Sequence, residues 1–226
     1  MKEVVVFAKA PVPGKVKTRL AATVGPDTAA KGHRAFISDL LTMLGGLDAK
    51  TVLAVGSKAD LDHDAFQNLG DVEIVVQPEG DLGERLSEIT RLRFDGGASR
   101  VLLIGTDSPT LGRLQIENAF DALQTHEVAL GPTFDGGYYL LGLKKFNEHL
   151  FKGIPWSTSE VANATLDALI NQELSVQILE YWYDVDTNED LRFLRFQLKA
   201  FLCDDSRTEP LPQATIAWLN ELDQRH

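Results

Sequence analysis

Residues 3–20, EVVVFAKAPVPGKVKTRL, constrain the fold more than any other stretch of the chain. Val4, Val5, Val6, Phe7 and Ala8 form a continuous apolar run, too short for a buried helix and rich in β-branched side chains, as expected of a central parallel strand covered on both faces. Pro11, Pro13 and Gly14 then forbid a regular element, while Lys9, Lys15, Lys17 and Arg19 place four cations within eleven residues. Ligands of open α/β sheets bind beyond the carboxyl ends of the strands, which makes this loop a candidate binding element. The chain carries a net charge of −11, yet residues 9–38 hold six cations against one acid, Asp27. A locally cationic loop on an acidic protein suits a small polyanion such as a diphosphate or triphosphate. It argues against nucleic acid, which needs a broad basic face. The plainer alternative is a solvated charge run, but these cations follow a buried strand and sit among Pro and Gly rather than along a helix face.

The loop is not a P-loop, because Gly14-Lys15 is followed by Val16 and no glycine stands five positions before Gly14. Nor does it carry the three glycines of a dinucleotide fingerprint. Further apolar runs at 51–55, 72–77, 100–105, 128–131 and 175–181 alternate with helical patterns at 26–44, 84–94, 113–124, 160–170, 188–203 and 209–222, and residues 59–69 read as one or two short helices. The predicted architecture is α/β: a doubly wound, mostly parallel sheet with helices on both faces, in which residues 133–143 add an antiparallel strand. Its 226 residues suit a single domain, 1–226. In helix 188–203, Leu191, Leu194, Leu198 and Leu202 are predicted to face inward. The single cysteine, Cys203, reads as a buried small hydrophobe, excludes a disulfide framework and fits a reducing cytoplasm. The apolar run at the amino terminus is too short for a signal peptide, and no run approaches a membrane span. The histidines, His226 among them, fall in no metal spacing and are given no role.

Four further segments can carry chemistry. Asp107 follows an apolar strand in Gly-Thr-Asp-Ser-Pro and reads either as a ligand for a hard divalent ion or as a helix cap. In Asp184-Val185-Asp186-Thr187, a period of two puts both acids on one face, which is costly unless a cation or helix amides balance them; Thr187 can cap the helix that follows. Residues 77–83, with Gln77, Leu82 and Gly83, form a strand-to-helix turn where main chain can approach a flat base. Asp135-Gly136-Gly137 before Tyr138-Tyr139, and the loop around Trp156, are equally compatible with a hairpin and with a pocket wall.

Lys-x-Pro-x-Pro-Gly-x-x-Lys-Thr-Arg-Leu, Lys9 through Leu20, resembles the opening of the radical-SAM/selenodomain-associated transferases of the nucleotide-diphospho-sugar transferase superfamily. It is also similar to the phospholactate guanylyltransferases. The resemblance implies a GT-A-like fold in which Asp107 and Asp186 hold Mg²⁺ or Mn²⁺. It places Lys17 and Arg19 on the transferring phosphoryl group and leaving pyrophosphate, with Lys9, Pro13, Gly14, Lys15, Gln77, Leu82 and Gly83 binding the nucleotide. Asp135, Gly136, Gly137 and Trp156 would line the acceptor pocket. Two departures stand out: the chain lacks the Gly-x-Gly-x-Arg loop of sugar nucleotidyltransferases and carries one acid at Asp107 rather than Asp-x-Asp. The implied function is metal-dependent nucleotidyl transfer from a nucleoside triphosphate to a small phosphorylated or acidic acceptor. The alternatives are glycosyl transfer from a nucleotide-diphospho-sugar, and nucleotide binding without turnover. Partners are then small molecules, not nucleic acid or membrane.

Overall fold

The computed structural model describes residues 1–224, so His226 lies outside the described residues. Seven strands, β1 (Lys2–Ala8), β2 (Lys50–Val55), β3 (Glu73–Val76), β4 (Arg100–Ile104), β5 (Val128–Pro132), β6 (Tyr138–Leu143) and β7 (Val176–Ile178), form one sheet in the order β3-β2-β1-β4-β6-β5-β7. The α-helices are α1 (Thr18–Val24), α2 (Pro26–Leu44), α3 (Leu82–Asp95), α4 (Arg113–Thr125), α5 (Val161–Asn171), α6 (Asn188–Cys203) and α7 (Gln213–Asp223). β6 alone runs against its neighbours; every other pairing is parallel, so the expected mixed sheet is what forms.

Strand periodicity divides the core. Val4 and Val6 of β1, with Leu53 and Leu102, face α2 and α4, whereas Val5, Val52 and Leu103 face α3 and α5. Both faces are therefore buried, which is why the strands read as unbroken apolar runs. A third cluster joins α1, α6 and α7 to α2 through Leu20, Phe36, Leu194 and Trp218, with the Phe36 and Trp218 rings edge to face at 5.6 Å. Phe36 is fully buried, a contribution of about 3 kcal/mol at most by area.

The winding positions the site. From β1 the chain moves outward through β2 to β3, then returns to place β4 on the other side of β1. The carboxyl ends of β1 and β4 lie side by side at a topological switch point, the crevice where such sheets bind ligands. At that edge emerge the loop after Ala8 and the segment carrying Asp107.

Several expectations are corrected. Residues 18–24, assigned no element from the sequence, form α1: seven residues with one inward leucine give no helical period, and the helix is held by packing Leu20 into the third cluster. The last helix begins at Gln213 rather than 209, after Pro210 and Pro212. Leu202 is 65% exposed because α6 runs past its partners in the last turn, where Phe201 takes the inward contact and the Arg207 guanidinium stacks over it at 3.7 Å. Cys203, at the same helix end, is exposed rather than buried. Residues 58–62 and 64–66 form two short 3₁₀ helices, as their pattern suggested. No helix among the described residues is long and apolar enough to cross a membrane.

Candidate active site

Two loops and one carboxyl-terminal segment converge at the switch point. After β1, a turn closed by the Lys15 amide on the Val12 carbonyl brings the chain to Lys17, whose backbone is left-handed (φ 47, ψ 43). A non-glycine residue in that region costs free energy and marks a constrained position. Behind the loop, His33 of α2 donates from Nε2 to the Lys9 carbonyl at 3.2 Å.

The left-handed backbone sends the Lys17 side chain inward, where 2% of it remains exposed. Its ammonium lies 2.5 Å from Asp107 and 2.9 Å from Asp186 and over the Phe36 ring at 5.6 Å. Burial alone would pull the Lys17 pKa down, but the charges of Asp107 and Asp186 outweigh it and the net shift is upward. Burial likewise pushes the Asp107 carboxyl up, yet Lys17 more than offsets it and holds the group below its ordinary value. Arg19, on the first turn of α1 and exposed, pairs with the other oxygen of Asp186 at 2.5 Å.

The Asp184–Asp186 segment docks on the segment that follows β4 through the Val185 amide, which donates to the Asp107 carbonyl at 2.8 Å. Val185 is fully buried, and the two acids flanking it turn the other way, as the period of two required. Asp186 meets Lys17 and Arg19, while Asp184 accepts from the Ser108 hydroxyl at 2.7 Å. Burial, then the neighbouring Asp107 charge, pushes the Asp184 carboxyl up to about 7. Thr187 caps α6 in a capping box with Asp190, whose carboxylate also accepts the Asp186 amide. Asp190 is thus part of the scaffold.

A cavity of about 620 Å³ opens beside the Lys17 cluster, walled by Lys9, Lys15 and Arg19 on one side and by Gln77, Leu82 and Arg85 on the other. Arg85 was missed in the sequence; its signal is a cation one turn into the helix that follows the Gly80–Gly83 turn, and its Nε donates to the Gly80 carbonyl at 2.8 Å. Gln77 reaches the cavity, but its side-chain amide already donates to the Ala54 carbonyl at 2.7 Å, which leaves Oε1 for a ligand. Pro13 and Gly14 form the exposed crest of the loop rather than the cavity wall. Gly83 lies outside the lining of this cavity and packs under Trp156, where an added Cβ would lie 2.2 Å from the indole nitrogen, so its lack of a side chain serves the close approach of two elements.

A second cavity, about 610 Å³, shares Phe7, Arg19, Leu82 and Ser157 with the first and holds Asp135, Gly137, Trp156 and Asp184. Ser157, on the common wall, is left-handed at φ 64. Asp135 Oδ1 accepts from the Thr133 hydroxyl (2.6 Å) and the Gly137 amide (3.1 Å), fixing the turn. Gly136 lies outside the cavity wall and is structural: at φ +90, any Cβ would meet the Ser159 carbonyl oxygen at 2.0 Å.

Lys17, expected on phosphate, is therefore engaged by carboxylates; among the described residues the cations of the first cavity in no ion pair are Lys9, Lys15 and Arg85, with Arg19 tethered but exposed. The oxygens of Asp107 and Asp186 converge on one cationic point, a donor set that fits a hard divalent ion. Among the described residues no group of three or more His, Cys, Asp or Glu is arranged to hold a metal, so phosphate and water oxygens would complete the shell.

Comparison with known proteins agrees with this architecture. Residues 41–158 match DUF2064, described as an uncharacterized protein conserved in bacteria. No curated protein matches the chain. A crystal structure from Desulfovibrio desulfuricans G20, described as a candidate nucleotide-diphospho-sugar transferase, is 37% identical with a TM-score of 0.88, over 99% of this chain and 96% of that one. A CMP:2-keto-3-deoxy-manno-octonic acid synthetase in complex with CTP shares the fold at a TM-score of 0.57 and 14% identity, over 88% of this chain and 99% of that one. So does Rv0371c of Mycobacterium tuberculosis H37Rv in complex with manganese, at 0.53 and 17%, over 86% and 98%. The chain belongs to the DUF2064 family and has the GT-A-like α/β fold of the nucleotide-diphospho-sugar transferases.

Proposed function

We propose that the protein is a metal-assisted nucleotidyltransferase that binds a nucleoside triphosphate in the first cavity and an acceptor in the second. The observation that carries this reading is the Lys17 ammonium held between Asp107 and Asp186 at the rim of a cation-walled cavity. The neighbours support it by analogy: one of the same fold holds CTP and another manganese. Lys9, Lys15 and Arg19 bind and orient the phosphates, so that catalysis is positioning plus electrostatics. Bound at Asp107 and Asp186, Mg²⁺ or Mn²⁺ would neutralise charge on the phosphate oxygens. An acceptor oxygen bonds to the α-phosphorus, the bond from that phosphorus to the β-bridging oxygen breaks, and pyrophosphate leaves. Asp135 stands on the acceptor side to take the acceptor's proton.

The description of the D. desulfuricans structure favours a second reading, glycosyl transfer from a nucleotide-diphospho-sugar through the same cavities. Product analysis separates the two: pyrophosphate marks the first, nucleoside diphosphate the second, and neither marks binding without turnover. The phosphate assignment has its own test. Lys15→Ala and Arg19→Ala are each expected to weaken triphosphate binding by about 2 kcal/mol, the worth of a hydrogen bond to a charged group, with little change for the free nucleoside. Calorimetric titration with matched nucleoside, diphosphate and triphosphate checks this; a loss that does not grow with phosphate count refutes it. Arg19→Lys is expected to impair binding too, since an ammonium cannot hold Asp186 and a phosphate oxygen with one planar fork.

A further inference from the structure

The second cavity has a composition that its place beside a phosphate site does not require. Its wall is apolar where it enters the sheet, with Phe7, Leu86, Leu103, Leu141, Tyr138 and Trp156 against the space. Leu103 and Leu141 are cross-strand partners of β4 and β6, so the floor is a rigid piece of sheet. The Tyr138 and Trp156 rings meet edge to face at 6.3 Å, which fixes the side wall. Its polar groups include the Asp135 and Asp184 carboxyls and the hydroxyls of Ser157, Thr158 and Ser159.

Among the described residues Arg19 is the one cation on this wall, and it is shared with the first cavity and paired with Asp186. An anionic acceptor would therefore meet the acidic side chain of Asp135, with no basic group on this wall among the described residues except Arg19, which is already paired. Like-charge juxtaposition of that kind rejects a partner more strongly than most contacts attract one. A carboxyl group does pair well with a hydroxyl, and Asp135 keeps Oδ2 outside the Thr133 and Gly137 hydrogen bonds. Outside the cavity, on the loop that carries Asp135, the exposed Phe134 ring stacks on Tyr181 at 5.4 Å and continues the apolar character to the surface.

We infer that the acceptor is an uncharged molecule with an apolar body and a hydroxyl group directed at Asp135, rather than a phosphorylated or carboxylated one. The inference rests on the reading of this cavity as the acceptor side, and it replaces the phosphorylated or acidic acceptor expected from the sequence.

A matched probe pair tests it: 2-phenylethanol and its phosphate monoester, which share one apolar body and differ in hydroxyl against phosphate. Saturation-transfer NMR titrations would be run on the full chain, with and without a nucleoside triphosphate and Mg²⁺. The alcohol is expected to bind at least about tenfold more tightly than the ester. Asp135→Asn keeps the oxygen that accepts from Thr133 and Gly137 and removes the charge, so the preference should narrow severalfold while the fold persists. An ester that binds as well as the alcohol, an alcohol that does not bind, or a preference unchanged in Asp135→Asn would each overturn the inference. Failure of the nucleotide reading looks different: triphosphate does not bind, yet the alcohol retains its preference in the free protein.

Discussion

Replacing Lys17 by Met is expected to lower stability by about 3 kcal/mol and to make the protein responsive to Mg²⁺. Met keeps the apolar stem that packs near Phe36 and removes only the charge. Asp107 and Asp186, now held at one ammonium by 2.5 and 2.9 Å contacts, would face each other with Arg19 as the remaining partner of Asp186. Breaking a buried ion pair from one side typically costs about 3–5 kcal/mol; the low end applies because Asp107 keeps 41% of its side chain in solvent. A divalent ion fits the place the ammonium leaves, so millimolar Mg²⁺ is expected to restore much of the loss in Lys17→Met and to stabilise the unaltered protein less, since there it competes with Lys17. Urea unfolding with and without Mg²⁺ checks both statements. A variant destabilised but indifferent to Mg²⁺ and Mn²⁺ would remove the two carboxylates as a metal site, whatever the protein's activity.

The pairing of Lys17 with Asp107 and Asp186, on which that result depends, is not readable from the sequence. The strand-then-cations pattern of residues 3–20 was readable because a five-residue apolar run rich in β-branched side chains reads as a covered strand, and the loop after it must open at the sheet edge. The alternation Asp184-Val185-Asp186 was readable for the same reason: a period of two allows only one arrangement once Val185 is committed to the core. What no local pattern carries is pairing across 90 or 169 positions. Whether Lys17 points at phosphate or at Asp186 depends on one left-handed backbone residue, and Lys has no sequence preference that announces it. α1 escaped for a related reason, being held by tertiary packing rather than by its own seven residues. Gly83 reads as a place where main chain approaches a flat base and Gly136 as part of a hairpin or pocket wall, but no local pattern says what lies against them: Trp156 in one case, the Ser159 backbone in the other. The apolar depth of the second cavity was hidden altogether, because Leu103 and Leu141 read simply as core.

The largest effect on stability is expected at the opposite end of the sheet, at Arg93. Near the end of α3, its guanidinium forms a double fork: Nε and one terminal nitrogen on Glu3 of β1 at 2.5 and 3.2 Å, and both terminal nitrogens on Glu73 of β3 at 2.7 and 3.0 Å. Lys50 of β2, cross-strand from Glu3, joins Glu73 at 2.5 Å. One helix end is thereby bolted to the first residues of three parallel strands. The Glu3 side chain is 2% exposed, so Arg93→Met would leave its carboxylate buried without its guanidinium partner, at a cost of about 3–5 kcal/mol. For a domain of this size that corresponds to a fall in Tm on the order of 10 °C. The double variant Arg93→Met, Glu3→Leu is expected to recover most of it, because the cost lies in the orphaned charge and not in the lost attraction. Glu73 adds a dependence on pH. Hydrogen bonds from Arg93, then Lys50, hold its carboxyl below the ordinary value of 4.5, so the stability it contributes is full above about pH 5 and is lost as pH falls through the depressed folded-state value. Removing Arg93 should flatten that acid limb. Nucleotide affinity should not change in either variant, since the cluster lies at the amino ends of the strands and the cavities at their carboxyl ends. Thermal and urea unfolding between pH 3 and 7 would measure all of this; an Arg93→Met loss under 1 kcal/mol, or a double variant no more stable than the single, would show that Glu3 finds another partner or water when Arg93 is gone.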